Sequence, residues 1–436
     1  MDDMELNPSG EQPEEVNINK DKPINSQKGE GIDKKKLVLI FSAIVIVLAV
    51  LVVSLILILG NKGEDEGEVE DPIKYSEGLA YEVNEDGKTC TIIGIGKCTD
   101  IDVYIPKNID GYKVVSIGNY AFADCNSLAS VIISNSVTSI DRFAFYRCFS
   151  LTSITIPDSV ISIGDYAFSM CISLESIALP DSLAITGEDM FSGCDSMQYN
   201  EYDNAKYVGS DTNPYLYLVG SISKEITGCT IHPQTKLIGN GAFGRCESLI
   251  HISIPNSVTR IGDGAFYTCT SLESITIPDS VTSIGYSAFG GCTSLASINI
   301  PNSITNIEHR TFAECSSLKN IIIPSSVTSI DEYAFSDCRS LTSINIPDSV
   351  TNIGEYAFVN CRSLTSINIP DSVTNIGDGA FFSCKALKIY CEAESKPDGW
   401  HEDWNSNNNP VVWDIKNSKI TILLSIKEKR HGRYGA

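Results

Sequence analysis

Residues 338–354 read CRSLTSINIPDSVTNIG, and residues 361–377 read CRSLTSINIPDSVTNIG again. The offset is 23 residues, and a looser form of the unit runs through most of the chain. Phe122, Phe145, Phe168 and Phe191 are spaced by 23, as are Phe243, Phe266, Phe289, Phe312, Phe335, Phe358 and Phe381. A cysteine follows each phenylalanine three residues later, from Cys125 to Cys384. A fixed period in the twenties is the sign of a solenoid with one coil per repeat.

Within one coil, LTSINI alternates apolar Leu341, Ile344 and Ile346 with polar Thr342, Ser343 and Asn345. This predicts a short strand with one face buried. Pro347 cannot donate to a ladder and ends it. The following Asp-Ser supplies a turn, and VTNIG a second short extended stretch with Val350 and Ile353 inward. EYAFVNC then returns the chain with Ala357, Phe358 and Cys361 inward, as a helical turn. The residue after the isoleucine is Gly in most repeats but Asp141, Glu308 and Asp331 in others. A site that required positive φ would rarely accept Glu, so this reads as a turn tolerant of side chains. One coil buries nothing alone; coils stacked at the ~4.8 Å strand spacing align their apolar side chains into a continuous core.

The run IPDSVTSIG…AF…C.SL, repeated over about residues 113–390, resembles the BspA-like leucine-rich-repeat surface proteins. GLAYEVNEDGKTCTIIGIGKCTDIDVYIP (78–106) is similar to that family's N-terminal cap, and LKIYCEAESKPDGWHEDWNSNNNPVVW (387–413) to its C-terminal cap. The resemblance implies a leucine-rich-repeat fold, display on a cell surface and binding of other macromolecules. It implies no catalytic residues and names no ligand. The expected fold class is a β-rich leucine-rich-repeat solenoid with 23-residue coils, capped at both ends and preceded by one transmembrane helix. Caps also follow from physics, because the end coils of a solenoid expose apolar faces and open strand edges. YEVNEDGKTCTI alternates about an EDG turn and reads as a covering hairpin. Trp400, Trp404 and Trp413 are all the tryptophans in the chain, and either cover the far end of the core or stack on a ligand.

Residues 37–59, opening on Leu37 and closing on Leu59, carry no charge. About 20 apolar residues suffice to cross a bilayer core. The run is too long for a signal peptide, and no small-residue cleavage site follows it. Lys34, Lys35 and Lys36 flank its start, while Glu64, Asp65, Glu66, Glu68, Glu70 and Asp71 follow its end. Positive charge stays inside, so the N-terminus is expected in the cytoplasm and the repeats outside. The remaining divisions expected are a disordered tail (1–36), an acidic linker (60–74), an N-terminal cap (75–112), the solenoid (113–390) with an insert near 197–230, a C-terminal cap (391–413) and a basic tail (414–436).

The insert breaks the period between Cys194 and Cys246. There AKYVG and YLYLVG flank SDTNP, which predicts a projecting hairpin. Its tyrosines, Tyr207, Tyr215 and Tyr217 among them, either pack the hairpin onto neighbouring coils or present a binding surface. A second candidate surface is the outward strand face, with Thr342, Ser343, Asn345, Thr365, Ser366 and Asn368 repeating a curved array of hydroxyls and amides. Such a face either holds an extracellular protein or glycan by many weak hydrogen bonds or merely keeps the sheet soluble and β-prone, leaving the solenoid a structural spacer or envelope-layer module.

Other chemistry finds little footing. A formal charge of −23 would repel phosphate backbones, which argues against nucleic acid. The column of inward cysteines reads as buried thiols acting as small hydrophobes, and no CxxC or His-Cys cluster suggests a metal. Cys90 and Cys98 form a candidate disulfide across the first hairpin. Asp158, Asp181, Asp279, Asp348 and Asp371 share one phase, but Asn256, Asn302 and Ser325 replace them elsewhere, as turn chemistry allows. The five histidines fall at unrelated repeat phases, and no nucleophile elbow, zinc-protease or phosphate-loop motif occurs. No enzyme, cofactor or metal is expected.

Overall fold

The structure, a computed structural model, describes residues 75–416. The expected membrane span 37–59, the tail before it, the whole linker 60–74 and the basic tail after 416 lie outside the described residues. Among the described residues, no helix is long and apolar enough to cross a membrane.

Each coil has three sides. On the first, the LTSINI strands pair in parallel and in register. Ser343 sits between Asn320 and Ser366, and Ile344 between Ile321 and Ile367. On the second, the two-residue strands Ser329–Ile330, Asn352–Ile353 and Asn375–Ile376 form a parallel ladder. Hydroxyls reinforce it, since Thr351 Oγ1 donates to Thr328 O (3.3 Å) and Thr374 Oγ1 to Thr351 O (3.2 Å).

The third side corrects the expected helical turn. The A-F-x-x-C segment is a chain of tight turns in which successive N–H groups alternate direction. Ala357, Val359 and Cys361 donate back three residues, whereas Tyr356, Phe358 and Asn360 donate to Asp378, Ala380 and Phe382 of the next coil. The alternation needs left-handed backbone two residues before and two after the phenylalanine, at Tyr356 (φ 51°) and Asn360 (φ 61°). A helix would have aimed its N–H groups along its own axis to carbonyls four residues back, not sideways to the next coil.

Between the three sides lies the core. Phe335 and Phe358 stack at 5.4 Å with rings 4° apart, and the other phenylalanines of the column behave alike. Burying each such ring contributes about 1.5–3 kcal/mol. The cysteine beside it is more than filler, because Cys338 Sγ donates to Phe312 O (3.2 Å) and Cys361 Sγ to Phe335 O (3.1 Å). All cysteines among the described residues are free thiols. That includes Cys90 and Cys98, so the disulfide candidate is corrected; Cys90 is buried and lies 3.8 Å from Tyr112 O.

The glycine column is also tighter than its tolerance suggested. None of its glycines needs positive φ, but a Cβ at Gly354 would come within 2.5 Å of Glu332 N. Close approach of coils is the constraint. Where the column carries Asp331, the carboxylate accepts from Ser329 Oγ (2.6 Å) and Asn306 Nδ2 (2.9 Å).

The insert does form a hairpin, Ala205–Val208 antiparallel to Tyr217–Ser221, but it does not project. Its second strand pairs in parallel with Leu237–Ile238 and continues the second ladder. The hairpin separates two apolar cores. Tyr207 and Leu218 face the later one, while Val208, Leu216 and Tyr217 face the earlier one. Tyr217 meets Phe191 edge-on (6.4 Å, 69°), as Trp404 meets Phe381 at the far end (6.0 Å, 84°). Trp400, buried beside Trp404, donates its indole N–H to Val373 O (3.0 Å).

Candidate binding surface

The strand-face residues point outward as expected. Thr342, Ser343, Asn345, Thr365, Ser366 and Asn368 are all exposed, with isoleucines buried between them. Part of this polar array is spent within the sheet. Thr342 Oγ1 donates to Lys319 O (3.3 Å), and Asn299 both donates to Ile277 O (2.8 Å) and accepts from Ile277 N (3.0 Å). Ile322 stands 81% exposed between Asn299 and Asn345.

The insert tyrosines are placed otherwise than a binding surface requires. Tyr207 is fully buried and Tyr217 nearly so, and burial raises both phenol pKa values. Tyr207 Oη accepts the His232 N–H (3.2 Å). Tyr215 is half-buried and stacks on His232 at 3.8 Å. As ligand contacts, Tyr207 and Tyr217 are therefore corrected. Their rings fill the junction between two cores, and neither can reach a partner without opening it.

An open concavity lies on the third side, where sequence reading placed nothing. It has a volume of about 880 Å³ and runs along the turn segments from Gly241 to Asn360, with Glu188 and Asp189 at one edge. Small residues make it. Two before the phenylalanine stand Gly241, Gly264 and Ser287, where later coils carry Arg310, Tyr333 and Tyr356. One after it stand Gly244 and Gly290, flanking Tyr267. The Tyr267 ring lies against Gly290, where a Cβ would be 3.2 Å from it.

A contact between distant residues closes one edge of the groove. Tyr286 Oη donates to Glu188 Oε1 across 98 residues, so side chains of non-adjacent coils meet here. Glu188 is held further by Tyr166 Oη (3.5 Å) and by its own N–H, which donates to Asp165 Oδ1 (2.9 Å). Burial, with Asp165 and Asp263 nearby, raises the Glu188 carboxyl above the ordinary range. Asp263 is raised too, mainly by burial, and is fixed by accepting from Tyr286 N (2.9 Å) and Asn240 Nδ2 (3.3 Å). Arg310 lies over Tyr333 at 5.0 Å, and Tyr333 stacks on Tyr356. Tyr267 and Tyr286 remain 44% and 43% exposed. A sequence signal existed in the outward columns beside the phenylalanines, where Gly241, Gly264, Gly244 and Gly290 fall together in consecutive coils.

Asp378, His401 and Asp403 also lie close enough to share a cation. Yet His401 Nδ1 accepts the Asp403 N–H (3.1 Å), and both His401 and Asp403 are exposed, so the trio is ordinary cap chemistry.

Comparison with known proteins agrees with the coil geometry. Residues 102–213, 222–340 and 261–388 match the BspA type leucine rich repeat region, in six copies overall. A leucine-rich repeat protein from Bacteroides ovatus is 27% identical, over 79% of this chain and 99% of its own, with a TM-score of 0.29. A leucine rich cell surface protein from Faecalibacterium prausnitzii is 27% identical, over 77% and 97%, with a TM-score of 0.31. A leucine-rich repeat protein from Eubacterium ventriosum is 24% identical, over 74% and 95%, with a TM-score of 0.39. No curated protein matches. The family match covers more than half of the chain and falls on the coils themselves: the chain belongs to the BspA-type leucine-rich-repeat family.

Proposed function

We propose that this chain is a surface-displayed recognition protein, anchored through residues 37–59 with its N-terminus in the cytoplasm. Its repeats face outward to hold an extracellular protein or glycan. The observation that carries the reading is the groove on the third side, where exposed rings and oriented carboxylates converge on a rigid stack. Groups positioned by repeated inter-coil hydrogen bonds lose little freedom on binding, which favours recognition. Many anchored copies engaging one extended partner would add avidity to weak single contacts. The strand face, with its outward hydroxyls and amides, offers a second, shallower contact area.

The test is saturable binding of the purified full-length chain, in mild detergent, to arrays of matrix proteins and glycans. Protease accessibility of the repeats on intact cells accompanies it. Saturable binding with accessible repeats is the expected result. Self-association without a saturable partner would favour a rigid spacer, for which identical coils also suffice, and repeats shielded on intact cells would overturn surface display.

A further inference from the structure

We propose that the third-side groove is a binding site for a neutral oligosaccharide, with sugar rings laid on Tyr267 and Tyr286. The inference rests on the recognition reading above and adds the ligand class and the place.

A pyranose offers two surfaces: an apolar face of C–H groups and a rim of hydroxyls that both donate and accept. The groove offers the complement of each. Tyr267 and Tyr286 leave much of their ring area uncovered, whereas most other aromatics on this side are spent on one another. Tyr120, Phe143 and Tyr166 stack in one ladder, and Tyr333 with Tyr356 in another. An exposed ring over a hollow floor is suited to a flat apolar face. Around the two rings, Glu188 and Asp263 are fixed acceptors, while Arg245 and Arg310 supply donors from the opposite coils. Oriented carboxylates and guanidiniums are strong hydrogen-bond partners for hydroxyls.

The same geometry disfavours other occupants. An extended peptide docks most readily by adding a strand to free backbone groups. Here the turn-segment N–H groups are engaged, either three residues back or with the next coil, from Gly241 through Asn360. Nucleic acid and acidic sugars meet the wrong sign, because Glu188, Asp189, Asp263, Glu314 and Asp337 outnumber Lys224, Arg245 and Arg310. Side-chain recognition of an uncharged, hydroxyl-rich ligand remains. The volume of about 880 Å³ admits several linked rings rather than one.

The repeat itself supplies a clean test. Tyr333 and Tyr356 occupy, at φ 56° and 51°, the position that Gly264 occupies at φ 55°. Gly264→Tyr therefore places in the groove a side chain that later coils carry on the same left-handed backbone, and it fills the hollow at some cost in backbone strain. Tyr267→Ala removes a platform instead. The full-length chain and both variants, each checked to be fully folded at the assay temperature, are titrated with hexose and N-acetylhexosamine oligosaccharides. The same samples are applied to matrix proteins and to acidic glycans. The expected result is saturable binding of neutral oligosaccharides, weakened roughly tenfold by Tyr267→Ala and more by Gly264→Tyr. Neutral-glycan binding unmoved by either variant but lost in Asn345→Ala/Asn368→Ala would overturn the groove and leave recognition standing. Binding only to proteins, or only to acidic glycans, would likewise overturn the ligand class alone. No saturable binding to any of these probes would overturn both readings.

Discussion

Cys338 illustrates how a single residue type serves the stack. Its thiol fills a small apolar space and also donates to the Phe312 carbonyl, which already accepts the Cys315 N–H. Ionising such a thiol would strip the bond and place charge in the core. Burial accordingly raises Cys194, Cys229 and Cys391 from 9.0 to about 12. The unfolded chain releases these protons near pH 9 and the folded chain holds them, so stability is complete below about 9 and is lost as pH rises towards about 12. Thermal midpoints should stay level from neutrality to about pH 8, then fall, with a shallower fall in Cys194→Ala/Cys229→Ala/Cys391→Ala. A second residue-scale expectation concerns Gly354. Its neighbour across the coil is backbone, which cannot swing away, so Gly354→Ala should cost about 1–3 kcal/mol in denaturant unfolding. The glycine's freedom from positive φ was readable in the sequence, since Glu occupies the same column elsewhere. Its steric crowding was not, because crowding is a distance between coils.

Among the elements, the two strand sides were legible because alternation and proline stops are local signals. The turn side was misread for an equally local reason. Ala, Phe and Cys at intervals of one and three imitate one helical face, and only the next coil's carbonyl row draws alternate N–H groups outward. The insert hairpin shows the same division. Its strands and turn were readable, but the fate of its tyrosines depended on two cores meeting there. Tyr207→Ala should therefore lower stability by about 3 kcal/mol or more, as truncating a buried aromatic does. Hydrogen exchange should quicken first in Ala205–Val208 and Tyr217–Ser221, and an unchanged exchange pattern there would contradict the packing role. The groove escaped sequence reading because Tyr286 and Glu188 stand 98 residues apart and meet only in the folded stack.

For the whole described region, two cores separated by a hairpin imply two cooperative blocks. Solenoid stability is close to a sum over coils and their interfaces, and an interface that differs from the rest is where cooperativity parts. Unfolding followed by calorimetry should depart from a single transition. Phe145→Ala should lower the transition of residues before the hairpin, and Phe358→Ala that of residues after it; a common shift of one transition in both variants would refute the division. There is a further consequence of coils whose neighbours are interchangeable. Cutting 23 residues out of the doubled string rejoins Cys338-type sequence to itself, and the two strand sides keep equivalent partners across the junction. Copy number is thus nearly neutral for folding between the closed ends, and reach changes in increments of ~4.8 Å. Such a chain is a ruler whose graduations replication can add or erase, while the hollow between Gly241 and Gly291 lies outside the doubled string.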